Sequence, residues 1–177
     1  MRLALALIAL GACSDPPKDC TVGDLAMAPE IQLFYDGGAM VQAMDAVPLK
    51  QPIQGGWVFY VEPHIRNMDA CHVQLTTSLT DTASNQVVVF ESRTATLTPG
   101  DTGFAVPINE ENDGLVAACP QSGLSRNING QTYLLQVVAE DPEGRKAQAS
   151  MQVVPTCSES FCTCQCNASY KLGDACP

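Results

Sequence analysis

Short stretches in which apolar and polar residues alternate are the dominant pattern of this sequence. In the clearest one, from Cys71 to Leu79, every second residue is apolar or a small Thr, and the residues between them are polar. A period of two is typical of a strand that buries one face. Similar runs, separated by turns rich in Gly, Pro, Asp and Asn, fill positions 30–155 and predict an all-β domain of about seven strands.

One short apolar segment does not alternate. Val116-Ala-Ala118 fits a single helical turn that Pro120 would end, because proline cannot continue a helix. The segments from 30 to 155 otherwise lack a helical stripe, so we expect little helix in the domain.

The most regular pair of predicted strands is a hairpin near the end of the domain. An alternating run begins at Tyr133, Asp141-Pro-Glu-Gly144 supplies a turn, and a second alternating run leads to Val153. From Gly130 to Asp141 the residues match Gly-x-x-Tyr-x-Leu-x-Val-x-Ala-x-Asp. This series resembles the last two strands of immunoglobulin-like, fibronectin type III and cadherin-like sandwiches. The resemblance implies an immunoglobulin-like β-sandwich, although the Cys–Trp–Cys arrangement of antibody domains is absent, and Trp57 is expected in the core.

The N-terminal residues have the features of an export signal. One positive charge, Arg2, is followed by eight apolar residues, which are too few to span a bilayer. Leu10-Gly-Ala-Cys13 comes next and resembles the lipobox of bacterial lipoproteins. The resemblance implies that residues 1–12 are removed and that Cys13 carries fatty acyl chains. In such lipoproteins, Asp directly after the Cys retains the protein in the inner membrane. Ser14 stands at that position, which implies the outer membrane.

Residues 13–29 show no periodicity and are predicted to be a flexible tether between the lipid and the domain. They are polar and include Pro16-Pro17 and Gly23. The predicted organisation is therefore a signal peptide (1–12), a lipid-anchored tether (13–29), the β-sandwich (30–155) and a small disulfide-rich tail (156–177).

Cysteines are frequent, and their number fits an exported protein. The chain has nine, so eight remain once Cys13 is lipidated, an even number that predicts four disulfides in an oxidising compartment. Cys71 and Cys119 are the two inside the domain, and we predict that they pair. The pairing of the others is open; these are Cys20, Cys157, Cys162, Cys164, Cys166 and Cys176.

The tail is expected to be a disulfide knot joined to the tether through Cys20. Its last part, from Cys164 to Cys176, resembles the C-terminal half of an EGF-like module, but Ser169 stands where that module has Gly and the first half is too short. A zinc site is the alternative, because clustered Cys residues can hold the metal. The even count of cysteines and the oxidising compartment favour disulfides.

Charge and motif content exclude several function classes. The formal net charge is −10, and loss of Arg2 with the signal gives −10 − 1 = −11. Such a chain is repelled by nucleic-acid phosphates, so no nucleic-acid partner is predicted. The sequence has two histidines, His64 and His72, and no recognisable nucleophile–base or phosphate-loop motif. No cofactor is predicted.

Two acidic loops are weak candidates for calcium. The first contains Glu110, Glu111 and Asp113, and the second contains Asp141 and Glu143. Neither has the ligand spacing of an EF-hand, so a solvated loop and a hairpin turn are the favoured interpretations, and no metal site is predicted.

These observations favour a lipid-anchored, non-catalytic binding or structural module of the cell envelope. Its expected partners are the membrane, through Cys13, and an envelope protein or a glycan. A calcium-dependent adhesion or recognition domain is one alternative. An enzyme whose residues converge only in three dimensions is another, because sandwich folds host many functions.

Overall fold

Two five-stranded sheets and one two-stranded ribbon make up the computed structural model, which describes residues 20–35, 38–121, 124 and 126–176. A 3₁₀ turn (Glu110–Asn112) precedes the tenth strand, and a helix, α1 (Ser160–Gln165), follows the last. The strands are β1 (Thr21–Val22), β2 (Glu30–Tyr35), β3 (Asp45–Pro48), β4 (Trp57–Arg66), β5 (Met68–Asp69), β6 (Val73–Asp81), β7 (Val87–Ala95), β8 (Leu97–Pro99), β9 (Ala105–Pro107), β10 (Gly114–Cys119), β11 (Tyr133–Glu140) and β12 (Lys146–Thr156). The signal sequence, Cys13 and Ser14 lie outside the described residues.

The strand order is that of an immunoglobulin-like sandwich. One sheet has the order β3-β12-β11-β6-β7, in which β3 runs parallel to β12 and the other pairs are antiparallel. In the other sheet β4 lies between β2 on one side and β10 and β9 on the other, and β8 pairs with β9. In immunoglobulin nomenclature, strands β12, β11, β6 and β7 correspond to G, F, C and C′, and strands β2, β4 and β10 correspond to A, B and E. The predicted all-β sandwich fold is confirmed.

The core forms where the inner faces of the two sheets meet. Phe59 and Val61 from β4 pack with Leu135 and Val137 from β11, and all four are almost fully buried. Trp57 is also buried, as predicted. Burial of this apolar surface is the main stabilising contribution to such a fold.

A polar contact joins the two sheets inside this core. Thr77 of β6 is buried, and its hydroxyl donates a hydrogen bond to the carbonyl oxygen of Leu115 in β10 at 2.5 Å. Gly114 permits the approach, because a Cβ added there would lie 2.9 Å from the Thr77 methyl group. Thr77, which occupies an apolar position in the alternating pattern of β6, is therefore a core residue whose hydroxyl has a hydrogen-bond partner.

A buried ion pair lies beside the start of β11. The Asp81 side chain is 1% exposed, and its Oδ1 lies 2.5 Å from Nη2 of Arg126. The guanidinium also lies 4.9 Å from the centre of the Tyr133 ring, and the Tyr133 hydroxyl donates to the carbonyl oxygen of Asn127 at 3.2 Å. This last bond is the tyrosine corner found in many such sandwiches. Burial raises the pKa of Tyr133, so its hydroxyl remains a donor at neutral pH.

The prediction of a tether across 13–29 is wrong for residues 20–29. β1 pairs with β5, and Val22 is buried in a cluster with Ile65 and Met68. The side-chain amide of Asn67 donates to the Ala28 carbonyl oxygen at 2.8 Å and accepts a hydrogen bond from the Asp24 N–H at 3.0 Å. These residues are held by backbone pairing and side-chain hydrogen bonds. Such contacts do not require alternating apolar residues, so the sequence shows no hydrophobic period here.

Two further expectations about secondary structure need correction. Val116-Ala-Ala118 is not helical and lies in strand β10, where Val116 and Ala118 face the core. Neighbouring strands supply hydrogen bonds that a local pattern cannot show. The strand count also exceeds seven, because several added strands have only two or three residues.

Within the described ranges, no helix is long and apolar enough to cross a membrane.

Candidate functional site

All eight cysteines from Cys20 onwards are in disulfides, but the predicted pair is wrong. Cys71 bonds to Cys20, and Cys119 bonds to Cys166. The reason is location: Cys71 lies beside the β1–β5 ribbon, whereas Cys119 ends β10 next to the tail. The two remaining bridges are Cys157–Cys162 and Cys164–Cys176.

The tail is attached through Cys119 and not through Cys20, which corrects the expected connection to the tether. Cys162 and Cys166, on and just after α1, are fully buried and belong to the main core cluster. The Trp57 indole N–H donates to Gln165 Oε1 at 2.8 Å, and the Phe161 ring meets the Trp57 ring edge-on. The tail is therefore part of the sandwich.

The cysteine clusters do not present thiolates for a metal. In the described part of the chain, two sets of three ligating side chains lie within 4.8 Å of one another, and each contains disulfide cysteines: Cys157, Cys162 and Cys166 in one, and Cys20, Asp69 and Cys71 in the other. Zinc binds the thiolate form of cysteine, and a bridged sulfur does not offer it.

The first acidic loop does not gather its carboxylates. Glu110 and Glu111 lie on the 3₁₀ turn with exposed side chains, whereas Asp113 is buried. Neither of the ligating sets named above includes these three residues. The Asn112 side chain instead accepts a hydrogen bond from the Thr96 backbone N–H at 2.7 Å, which ties the loop to the segment after β7.

The second acidic loop has a structural explanation. Asp141 is buried, and its carboxylate accepts hydrogen bonds from the backbone N–H groups of Arg145 at 2.8 Å and Asp69 at 3.3 Å. Glu143, at the tip of the turn, is exposed. Asp141 therefore closes the β11–β12 turn and joins it to β5.

The two histidines lie apart, one on β4 and the other just before β6 of the opposite sheet. His64 projects from β4, stacks on the Phe34 ring with 4.0 Å between centroids, and lies 3.1 Å from a Glu62 carboxylate oxygen. His72 is exposed just before β6. The outer face of the β2–β4 sheet is thus charged, and it also carries a Glu30–Arg66 pair.

Two hollows are open and shallow. A cleft of about 330 Å³ is lined by Lys50, Gln51, Tyr60 and Glu110 among others, and Arg93 and Glu111 line its continuation. A groove of about 740 Å³ lies between Pro120–Gln121 and residues 168–172 of the tail, next to residues 122 and 123, which lie outside the described residues. Charges of both signs line the first, and neither brings together a nucleophile and a base.

The outer face of the other sheet has a different composition. Four strands contribute to it, and the registers place their outward residues in adjacent rows. We call it the neutral face, and it consists of Gln74, Thr76, Ser78, Thr80, Val87, Phe90, Ser92, Thr94, Leu134, Gln136, Val138, Gln148, Ser150 and Gln152. None of these residues is ionisable, but the row that holds Thr94 and Gln74 continues to Glu140 and Lys146, which form an ion pair at that end of the sheet.

The neutral face combines ordered polar groups with exposed apolar ones. Ser92 Oγ accepts from the Gln74 amide at 2.8 Å and shares a hydrogen bond with the Thr76 hydroxyl at 3.1 Å, while the Thr94 hydroxyl donates to Gln74 Oε1 at 3.2 Å. Phe90 is 67% exposed and lies opposite Ser78 on the next strand. These polar groups therefore hold fixed positions beside a free aromatic ring.

Sequence reasoning missed this face. Each strand alone shows polar residues at alternate positions, as any half-exposed strand does. The signal that was available is the kind of polar residue, because Ser, Thr and Gln fill the outward positions from Gln74 to Thr80 and from Gln148 to Gln152.

Comparisons with known proteins find weak structural similarity. No protein-family model and no curated protein matches the chain. Among solved structures, the crystal structure of CopC from Methylosinus trichosporium OB3b is similar, with 13% sequence identity over 67% of this chain and 88% of that chain, and a TM-score of 0.33. The fold class of this chain rests on its own strand order and registers.

Proposed function

We propose that the protein is a lipid-anchored, non-catalytic recognition module of the cell envelope, tethered through Cys13 and binding through the neutral face. The proposal joins the lipobox-like residues 10–13 to a domain whose first disulfide begins at Cys20. Four disulfides in a chain of this size support an exported, oxidising location.

The neutral face is the observation that carries the recognition role. A chain with 19 acidic and 9 basic residues would be expected to scatter charge over the outer surfaces of its domain. The outer face of the opposite sheet does so, with Glu30, Glu62 and Arg66. A broad sheet face whose ionisable groups are confined to one ion pair at its end, and which exposes Phe90 and Leu134, resembles the uncharged centre of an interaction surface.

Replacing Cys13 by Ser is expected to abolish acylation and to leave the signal peptide uncleaved, because the thiol is the atom that the lipid modifies. Metabolic labelling with a fatty-acid analogue, followed by fractionation of the envelope, is the measurement. Ser14→Ala, one residue further on, is the matched control and should keep its label. Equal labelling of the Cys13→Ser variant and the parent would refute the anchor.

Placing a charge in the neutral face should weaken binding to envelopes. Ser150 is exposed on β12, in the row that continues through Gln136 and Ser78 to Phe90, so Ser150→Glu puts a carboxylate in that row without disturbing the core. With detergent-solubilised mature protein and envelopes isolated from cells lacking it, we expect at least about tenfold weaker binding. Gln32→Glu, an exposed position on the opposite sheet, should bind like the parent. Unchanged binding of Ser150→Glu would remove the neutral face from the recognition role.

A further inference from the structure

We infer that the neutral face binds an uncharged polysaccharide chain. This rests on the recognition role proposed above and names the class of ligand that the face takes. The inference follows from three properties of the face: its charge, its hydrogen-bonding groups and its exposed aromatic ring.

The lack of charge selects a neutral ligand. An ionic ligand needs an opposite charge to offset the water that it loses on binding, and the neutral face supplies none; Glu140 and Lys146 at its end are paired with each other. The chain as a whole is acidic, with a net charge of −10, so a polyanion is also repelled at long range. A sugar polymer without carboxylate, sulfate or amine groups meets neither obstacle.

The hydrogen-bonding groups match sugar hydroxyls. Hydroxyl and amide side chains offer donors and acceptors together, as each sugar hydroxyl does, whereas a carboxylate only accepts and an ammonium group only donates. The network that joins Thr94, Gln74, Ser92 and Thr76 holds these groups in place before a ligand arrives. Less side-chain entropy is then lost on binding.

Phe90 provides an apolar platform for a sugar ring. Its side chain is 67% exposed, and its cross-strand neighbour Ser78 is too small to cover it. The C–H face of a pyranose can pack on the aromatic ring and release water from both surfaces. Leu134, 37% exposed on β11, offers a second, separate apolar contact two strands away.

The dimensions of the face suit a chain and not a single sugar. Four strands spaced about 4.8 Å apart give a width of about 14 Å, and rows two residues apart along a strand are separated by about 6.7 Å. The registers are unbroken between β11 and its two neighbours, so these rows stay aligned. Several consecutive sugar rings can therefore contact the face at once.

A second copy of the protein is the competing occupant. Self-association through a sheet face needs a continuous apolar centre, and here hydroxyl and amide residues separate Phe90 from Leu134 and Val138. Two copies would also bring together domains of the same net charge. The composition therefore favours the polysaccharide.

Affinity electrophoresis of the detergent-solubilised mature protein tests the inference. Native gels would contain hydroxyethylcellulose or dextran as neutral polymers, or alginate as a polyanion. We expect retardation by at least one neutral polymer, none by alginate, and at least about tenfold weaker binding for Phe90→Ala, because the aromatic platform is removed. Phe34→Ala, the same change on the outer face of the opposite sheet, should behave as the parent does.

Each contrary outcome overturns the inference. These are migration unaffected by both neutral polymers, retardation by alginate alone, parental binding by Phe90→Ala, or a concentration-dependent dimer in sedimentation equilibrium that Phe90→Ala abolishes. Thermal melts check that the variants fold. Gln136→Glu, which keeps the side-chain shape but adds a charge, should also weaken binding to the neutral polymer. Acylation of Cys13 and the effect of Ser150→Glu on envelope binding are measured independently, so the recognition role can survive the loss of this ligand.

Discussion

Replacing Arg126 by Met is expected to lower the free energy of unfolding by about 3–5 kcal/mol. The Asp81 carboxylate is 1% exposed and lies 2.5 Å from the Arg126 guanidinium, so the substitution leaves a buried charge without its counter-ion. The same guanidinium donates to the Thr132 carbonyl oxygen at 2.6 Å, and without it that acceptor keeps only the Thr82 hydroxyl, at 2.9 Å. Urea unfolding followed by the fluorescence of the single tryptophan, Trp57, is the measurement.

A matched substitution separates the buried pair from a surface pair. Arg66 and Glu30 also form an ion pair, but their side chains are 43% and 42% exposed, so Arg66→Met should cost about 1 kcal/mol or less. Adding Asp81→Asn to Arg126→Met removes the buried negative charge and should restore part of the lost stability. Equal destabilisation by Arg126→Met and Arg66→Met would show that the buried pair has no special role.

Removing the Cys119–Cys166 bridge is expected to lower the free energy of unfolding by about 4 kcal/mol, because its two ends are far apart in the chain. The bridge closes 47 residues and holds the tail, with Cys166 in the core. A double Ala substitution at these two positions should also release Gln165 from the Trp57 indole and shift the tryptophan emission.

The control is the Cys164–Cys176 bridge, which closes 12 residues within the tail and involves partly exposed cysteines. Its removal should cost about 3 kcal/mol or less and leave the Trp57 emission unchanged. Mass mapping of the alkylated, unreduced parent checks the connectivity, and should place Cys71 in one peptide pair with Cys20. A Cys71–Cys119 peptide would refute the framework.

The strands were predictable where the period of two is long. The run from Cys71 to Leu79 became β6, and the Tyr133 hairpin became β11 and β12 with Tyr133 opposite Val153. The segments that were misinterpreted lack this period. Residues 20–29 are held by the Cys20 bridge and by the Asn67 side chain, contacts between residues distant in sequence that no local pattern encodes.

The cysteine pairing could not be deduced from position in the chain. Both Cys71 and Cys119 lie within the sandwich, yet each has a partner outside residues 30–155, with Cα–Cα distances of 5.3 Å and 5.1 Å. The geometry that permits a bridge depends on which strand ends meet in space. The neutral face was hidden for a related reason, because it exists only once four strands are in register.

The Cys20–Cys71 bridge also determines how a mechanical load would enter the domain. A pull on the residues that precede Cys20 passes through the two sulfur atoms to Cys71, two residues before β6, a strand within the sheet that carries the neutral face. The chain between these cysteines, which includes β2 and β4, is closed into a loop and cannot be drawn out while the bridge is intact. A force applied from an N-terminal anchor would therefore act on one sheet directly, and strands β2 and β4 of the other would be shielded from extension.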